Sequence, residues 1–148
     1  MFKFNKKGFT LVEILLVIVI IAILAAIVIV AINPGRQISQ ANNTQRSSDV
    51  TTLLNATYQY GMDNRGVLPS EITTTPTVVG SGTGQIDVCS YLVPTYIVAM
   101  PFDPTATGAL YTSCTTYDTG YNISVDANGR LTVSAPSAEL SETITVSR

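Results

Sequence analysis

The chain contains no histidine and only two cysteines, Cys89 and Cys114, in 148 residues. A four-ligand Cys/His zinc site, a Cys-His nucleophile and a Ser-His-Asp triad therefore cannot be assembled within it. Charge is scarce as well. Asp, Glu, Lys and Arg make up 12% of the residues, half of the ~25% usual in globular chains, while 46% are hydrophobic and mean hydropathy is +0.33. That balance excludes an intrinsically disordered chain, and the length suits one domain with a core of its own.

The scarce charge is also unevenly placed. Lys3, Lys6 and Lys7 crowd the first eight residues, Glu13 follows, and nothing ionisable occurs again before Arg36. Residues 14–32 are nineteen consecutive Ile, Leu, Val and Ala. About twenty apolar residues cross the ~30 Å bilayer core as a helix, and a run apolar on every face is not the stripe of a soluble surface helix. The lysines ahead of the run, against only Arg36 and Arg46 soon after it, place the N-terminus in the cytoplasm and the rest outside. A cleaved secretory signal is the competing reading. Its apolar segment spans about 7 to 15 residues before a small-residue cleavage site, which residues 14–32 do not resemble.

Beyond Arg36 a polar, nearly uncharged stretch carries Ile38, Ala41, Val50, Leu53, Leu54, Ala56, Tyr58 and Met62 at mostly three- and four-residue spacing. This predicts an amphipathic helix ended by Gly61, Asn64 and Gly66. Asn33-Pro34-Gly35 predicts a kink or short unwound stretch at Pro34 and Gly35, between the two helical halves, with a true turn between separate helices as the alternative. The remainder reads as a loop-rich sheet. Residues 74–79, 109–117, 120–125, 130–134 and 143–147 have strand composition and alternation, and Asp126-Ala127-Asn128-Gly129 is a hairpin signal. The glycine cluster over residues 80–84 lacks the Gly-Lys-Ser/Thr ending of a phosphate loop and reads as a flexible surface connection. The expected fold class is α+β: a long N-terminal helix packed on a small C-terminal antiparallel sheet that needs an apolar partner. The expected organisation is residues 1–8 as leader, 9–62 as the long helix with a membrane span at about 14–32, and 63–148 as the sheet domain.

Lys6-Lys7-Gly8-Phe9-Thr10-Leu11-Val12-Glu13-Ile14, running straight into the apolar segment, resembles the N-terminal signature of type IV pilins and pseudopilins. The resemblance covers about the first 32 residues. It implies cleavage between Gly8 and Phe9 by a prepilin peptidase at the cytoplasmic face, N-methylation of Phe9, and a role in assembly for Glu13, the fifth residue of the mature chain. Many pilins place a helix-breaking proline slightly earlier than Pro34. Pro94-Thr95-Tyr96-Ile97-Val98-Ala99-Met100-Pro101-Phe102-Asp103-Pro104 is similar to the loop that precedes the sheet in some members.

The junction has a physical reading of its own. A carboxylate at the edge of an apolar span is costly and calls for a partner, either headgroup water or, after cleavage, the cationic amine that appears at Phe9 of a neighbouring copy. An unpaired charge penalises wrong registers, so such a pair would set register rather than add net stability. Exposing the apolar run to water would cost tens of kcal/mol, whereas exchanging lipid for a bundle of identical helices is nearly neutral. Head-to-tail contacts that do not close propagate as a fibre.

The expected function is thus a structural subunit, a major pilin of a type IV pilus-like filament. It would reside in the cytoplasmic membrane before assembly and in an extracellular filament afterwards. The implied partners are further copies of the chain, the prepilin peptidase/methyltransferase, a membrane assembly platform and membrane lipid. Two alternatives remain: a pseudopilin or minor pilin of a secretion or DNA-uptake machine, and a monomeric membrane-anchored extracellular binding protein. No enzyme activity, cofactor or metal is expected. Asp63, Glu71, Asp87, Asp103, Asp118, Asp126, Glu139 and Glu142 are scattered through turns and loops, where solvated or turn-capping roles are the default, and no EF-hand spacing occurs. Without the leader, five arginines face ten carboxylates, a net of −5, so no basic cluster for nucleic acid remains. The seven tyrosines read as core and interface packing. Outside the cytoplasm Cys89 and Cys114 would form one disulfide; two buried free thiols are the alternative.

Overall fold

The computed structural model describes residues 8–148, and the expected leader at 1–8 therefore lies, apart from Gly8, outside the described residues. The elements are α1 (Leu11–Ile32), α2 (Pro34–Asp63), β1 (Thr77–Gly80), α3 (Cys89–Leu92), β2 (Leu110–Ser113), β3 (Thr116–Val125), β4 (Leu131–Ala135) and β5 (Ile144–Ser147). The fold is α+β. Two compact units divide it, one through Gln37 and one of Ile38–Arg148, so most of α2 belongs with the sheet.

In the first unit, the 22 residues of α1 span about 33 Å at 1.5 Å per residue, long and apolar enough to cross a membrane. Every one of them is exposed. The interruption falls on Asn33, the first residue of the Asn33-Pro34-Gly35 segment expected to interrupt the helix. Asn33 adopts a left-handed conformation (φ 48°, ψ 77°) that closes α1, and its side-chain Oδ1 accepts the Arg36 amide at 3.3 Å to open α2. Pro34 and Gly35 are the first two residues of α2. Proline at the first helical position needs no N–H partner and has φ pre-set, so Pro34 suits the start of α2.

In the second unit, β1, β3, β4 and β5 form an antiparallel sheet in that spatial order, and β2 pairs with the first part of β3. The Asp126 hairpin joins β3 to β4 as expected, with Gly129 at φ 80° and the Asp126 carboxylate accepting the Asn128 and Arg130 amides. Residues 109–117 are not one strand. They form β2, a turn at Cys114-Thr115 and the start of β3, registered Tyr111 to Tyr117. The reversal brings Cys114 to Cys89 on α3, where the two form a disulfide with Cα atoms 5.3 Å apart. Residues 74–79 become strand only from Thr77.

The core lies between α2 and the inner sheet face. Tyr117, Tyr121, Ile123, Leu131, Val133 and Ile144 alternate inward and meet Val50, Leu53, Leu54 and Ala56 of α2. The buried face of α2 differs from the predicted stripe. Ile38, Ala41 and Met62 are exposed, Tyr58 is half-buried, and the upstream core positions belong to Asn43 and Arg46.

Arg46 is the largest fully buried side chain. Its Nε and Nη2 donate to the two Asp103 carboxylate oxygens at 2.7 and 3.0 Å, and Nη1 donates to Asn43 and to Glu139 at 2.9 and 3.0 Å. Burial pushes the Asp103 carboxyl up, but the Arg46 hydrogen bonds and the amides of Thr105 and Ala106 hold it below the ordinary carboxylate range. Gly120 makes room for this loop. Its φ of 70° suits glycine, and a Cβ there would lie 3.1 Å from the Cβ atoms of Asp103 and Ala106. Asp103 is thus a buried ion-pair partner and not the solvated loop carboxylate expected from sequence.

Candidate processing and assembly site

Gly8 and Phe9 precede the helix in non-helical, exposed backbone, and among the described residues no atom lies within 4 Å of the position a Gly8 Cβ would take. Phe9 is 82% exposed. The helix begins two residues after Phe9, at Leu11.

That start is set by Thr10 and Glu13. The Thr10 hydroxyl accepts the Glu13 amide at 3.2 Å, and the Glu13 carboxylate returns to accept the Thr10 amide at 2.8 Å and the Thr10 hydroxyl at 3.0 Å. This reciprocal capping box satisfies donors that α1 leaves open, and it places a negative group at the positive end of the helix dipole. Both bonds from Thr10 fall on the same carboxylate oxygen, Oε2. Sequence reasoning treated Glu13 as a lone carboxylate and overlooked Thr10. The Thr-x-x-Glu spacing directly before an apolar run was the signal that would have found it.

The structure thus gathers Thr10 and Glu13 at the α1 start, with Gly8 and Phe9 just ahead of them. Pro34 and Gly35 sit at the start of α2, and Cys89 joins Cys114 within the sheet unit. A glycine-phenylalanine bond on exposed chain, a capped carboxylate four residues on and a membrane-length apolar helix form one contiguous arrangement, and the comparison with known families falls on that segment. The profile of the prokaryotic N-terminal methylation motif matches residues 3–29. The chain carries the type IV prepilin signature. The match spans the leader junction and most of α1, and it implies prepilin-peptidase processing and pilus-type assembly. No curated protein and no solved structure matches the chain.

The other carboxylates singled out from sequence are dispersed through the sheet unit, where hydrogen bonds account for them. Asp63 and Glu71 accept the Tyr96 and Tyr91 hydroxyls, Asp87 accepts that of Tyr117, and Asp118 accepts the Gln85 amide. Asp49 accepts the Tyr121 hydroxyl at 2.9 Å, and burial pushes both of these groups to titrate above their usual ranges. Gln85 also accepts the Gly82 amide, so the glycine loop after β1 is a hydrogen-bonded turn.

Proposed function

We propose that the chain is a prepilin whose mature part, residues 9–148, is the structural subunit of a type IV pilus-like extracellular filament, assembled from the membrane through α1. The observation that carries this reading is the methylation motif lying on an exposed Gly8-Phe9 bond at the head of a helix that is apolar and exposed on all sides. Such a helix is at home only in lipid or among helices like itself.

In this reading cleavage after Gly8 removes Lys3, Lys6 and Lys7 and creates a cationic amine at Phe9. The Oε2 atom of Glu13 serves Thr10 of its own chain, and Oε1 is the oxygen left for the amine of a neighbouring copy. A charge pair at low dielectric makes misregistered neighbours expensive and selects one stagger. The sheet unit is then displayed outside. Glu13 favours a shaft subunit over a tip subunit, which keeps the major-pilin reading ahead of a pseudopilin or minor-pilin role.

Shearing producing cells and weighing the released protein tests the proposal. The expected result is abundant high-mass filaments whose subunit begins at N-methylated Phe9. Protein that stays wholly in the membrane fraction after shearing would overturn the filament reading, and a mature subunit beginning elsewhere than Phe9 would overturn the processing assignment.

A further inference from the structure

The unit Ile38–Arg148 carries four arginines; Arg46 is buried, and the other three are exposed residues that flank the lining of one small apolar pocket in sequence or stack on it. The pocket holds about 160 Å³ between Tyr58, Gly61, Met62, Leu68 and Leu131, with Gly66 and Gly129 also in its lining. Arg65 adjoins Gly66, Arg130 stands between Gly129 and Leu131, and the Arg148 guanidinium lies 4.4 Å from the Tyr58 ring centroid. Met62 and Val67 leave 65% and 64% of their surfaces exposed at this end. Of the nearby carboxylates, Asp63 accepts the Tyr96 hydroxyl and Asp126 is taken up by its own hairpin amides.

The other end of the same unit has the opposite character. Eighteen residues earlier on α2, about 27 Å by helical rise, Asn43 grips the turn 139–142: its amide donates to the Glu139 carbonyl and Glu142 carboxylate and accepts the Glu139 N–H. Glu142 N–H closes the turn onto the Glu139 carbonyl at 3.1 Å, with Leu140 and Ser141 both left-handed at φ 57° and 58°. A leucine is disfavoured there, and the Asn43 side chain holds the turn against that preference. Leu140 stands at the apex, 44% exposed, between two carboxylates.

From this complementarity we infer that Leu140 of one copy seats in the Tyr58, Met62 and Leu68 pocket of the next, with the Glu142 carboxylate, whose Oε2 serves Asn43, facing Arg65, Arg130 and Arg148 through its other oxygen. The inference rests on the filament reading and names a contact between its subunits. A cavity of about 150 Å³ admits a benzene-sized group, so the pocket takes one aliphatic side chain. Knob and pocket lie at opposite ends of the unit, so the contact is head-to-tail and leaves both ends free to propagate. The opposed charges select the partner and its orientation.

The test uses the full chain in producing cells, with Leu140→Cys and Met62→Cys combined, a short bifunctional thiol reagent, and wild type sheared in parallel. The expected result is a ladder of dimers, trimers and higher species from the double variant, and nothing beyond dimer from either single one. Separately, Leu140→Asp removes the apolar anchor and is expected to weaken each contact about ten- to a hundredfold, lowering filament yield at unchanged membrane level. Monomers or dimers alone from the double variant would overturn the contact, whether or not wild-type filaments are present. A ladder in membranes without sheared filaments would sustain the contact and refute the filament reading. Charge reversal checks the pairing independently: Glu142→Arg and Arg130→Glu should each reduce the ladder and together restore it, and failure of the pair to restore it would count against the charge match.

Discussion

Replacing Arg46 with methionine tests whether the buried arginine organises the sheet unit. The substitution keeps the aliphatic stem but leaves the Asp103 carboxylate, itself fully buried, facing no cation. Removing one partner of a buried pair costs about 3 to 5 kcal/mol, because the remaining charge stays desolvated. Part of the loss is recovered by protonating Asp103, which fixes the sign of the pH dependence. In the wild type the Asp103 pKa is depressed, so its contribution is present above the unfolded value near 4 and is lost as pH falls through the folded value. In Arg46→Met the same carboxyl is pushed upward. The gap in unfolding free energy between the two proteins should therefore be largest near neutral pH and shrink as pH drops towards 4. Denaturant titration of detergent-solubilised protein, followed by the near-ultraviolet circular dichroism of the tyrosines, measures that gap. A neutral-pH difference below about 1 kcal/mol, the size of an exposed ion pair, would refute the reasoning. So would a gap that widened on acidification.

Four further outcomes follow from the same structure. Replacing Gly8 with a bulky residue should leave uncleaved protein in the membrane and abolish filaments; because Lys3, Lys6 and Lys7 are the only lysines, the mature chain has one amine, at Phe9, and single labelling by an amine-reactive reagent reports cleavage directly. Glu13→Val should insert into the membrane as well as wild type or better while filament yield falls, and equal yield at matched expression would remove the pairing role. Reduction of Cys89–Cys114, which closes a separation of 25 residues, should cost about 3 to 3.5 kcal/mol on the chain-entropy estimate, read as an earlier denaturation midpoint in dithiothreitol. Gly120→Ala adds a Cβ at positive φ, 3.1 Å from two others, and should cost about 1 to 3 kcal/mol; an unchanged midpoint would show that the loop bearing Asp103 shifts freely.

Where a local rule suffices, the sequence determined the outcome by itself. Nineteen apolar residues make a membrane-length helix in any context, because the backbone must satisfy its own hydrogen bonds wherever water is absent. Asp126-Ala127-Asn128-Gly129 folds on its own tolerance of tight turns, so the β3–β4 hairpin is legible from the sequence. The alternation of residues 120–125 and 130–134 is likewise legible, and it falls with Tyr121, Ile123, Leu131 and Val133 on the buried side of β3 and β4.

Other features were settled only by residues distant in the chain. Arg46 sits in a run of Gln, Asn and Ser that reads as solvated, and it is buried because Asp103 and Glu139 arrive 57 and 93 residues later to balance its charge. Ile38, Ala41 and Met62 have the spacing of a core stripe, but the sheet covers α2 from Asn43 to Gly61 along a face rotated away from them. The reversal inside residues 109–117 is invisible to propensity, since tyrosine and threonine favour strand throughout. There the β2–β3 register and the bond to Cys89 decide where the chain turns. Leu140 is the same case, held left-handed against its own preference by an amide on α2 96 residues before Glu139. Local preferences are worth a few tenths to about 1 kcal/mol per residue, and a buried charge or a clamped turn outweighs them, so tertiary structure decides wherever the two disagree.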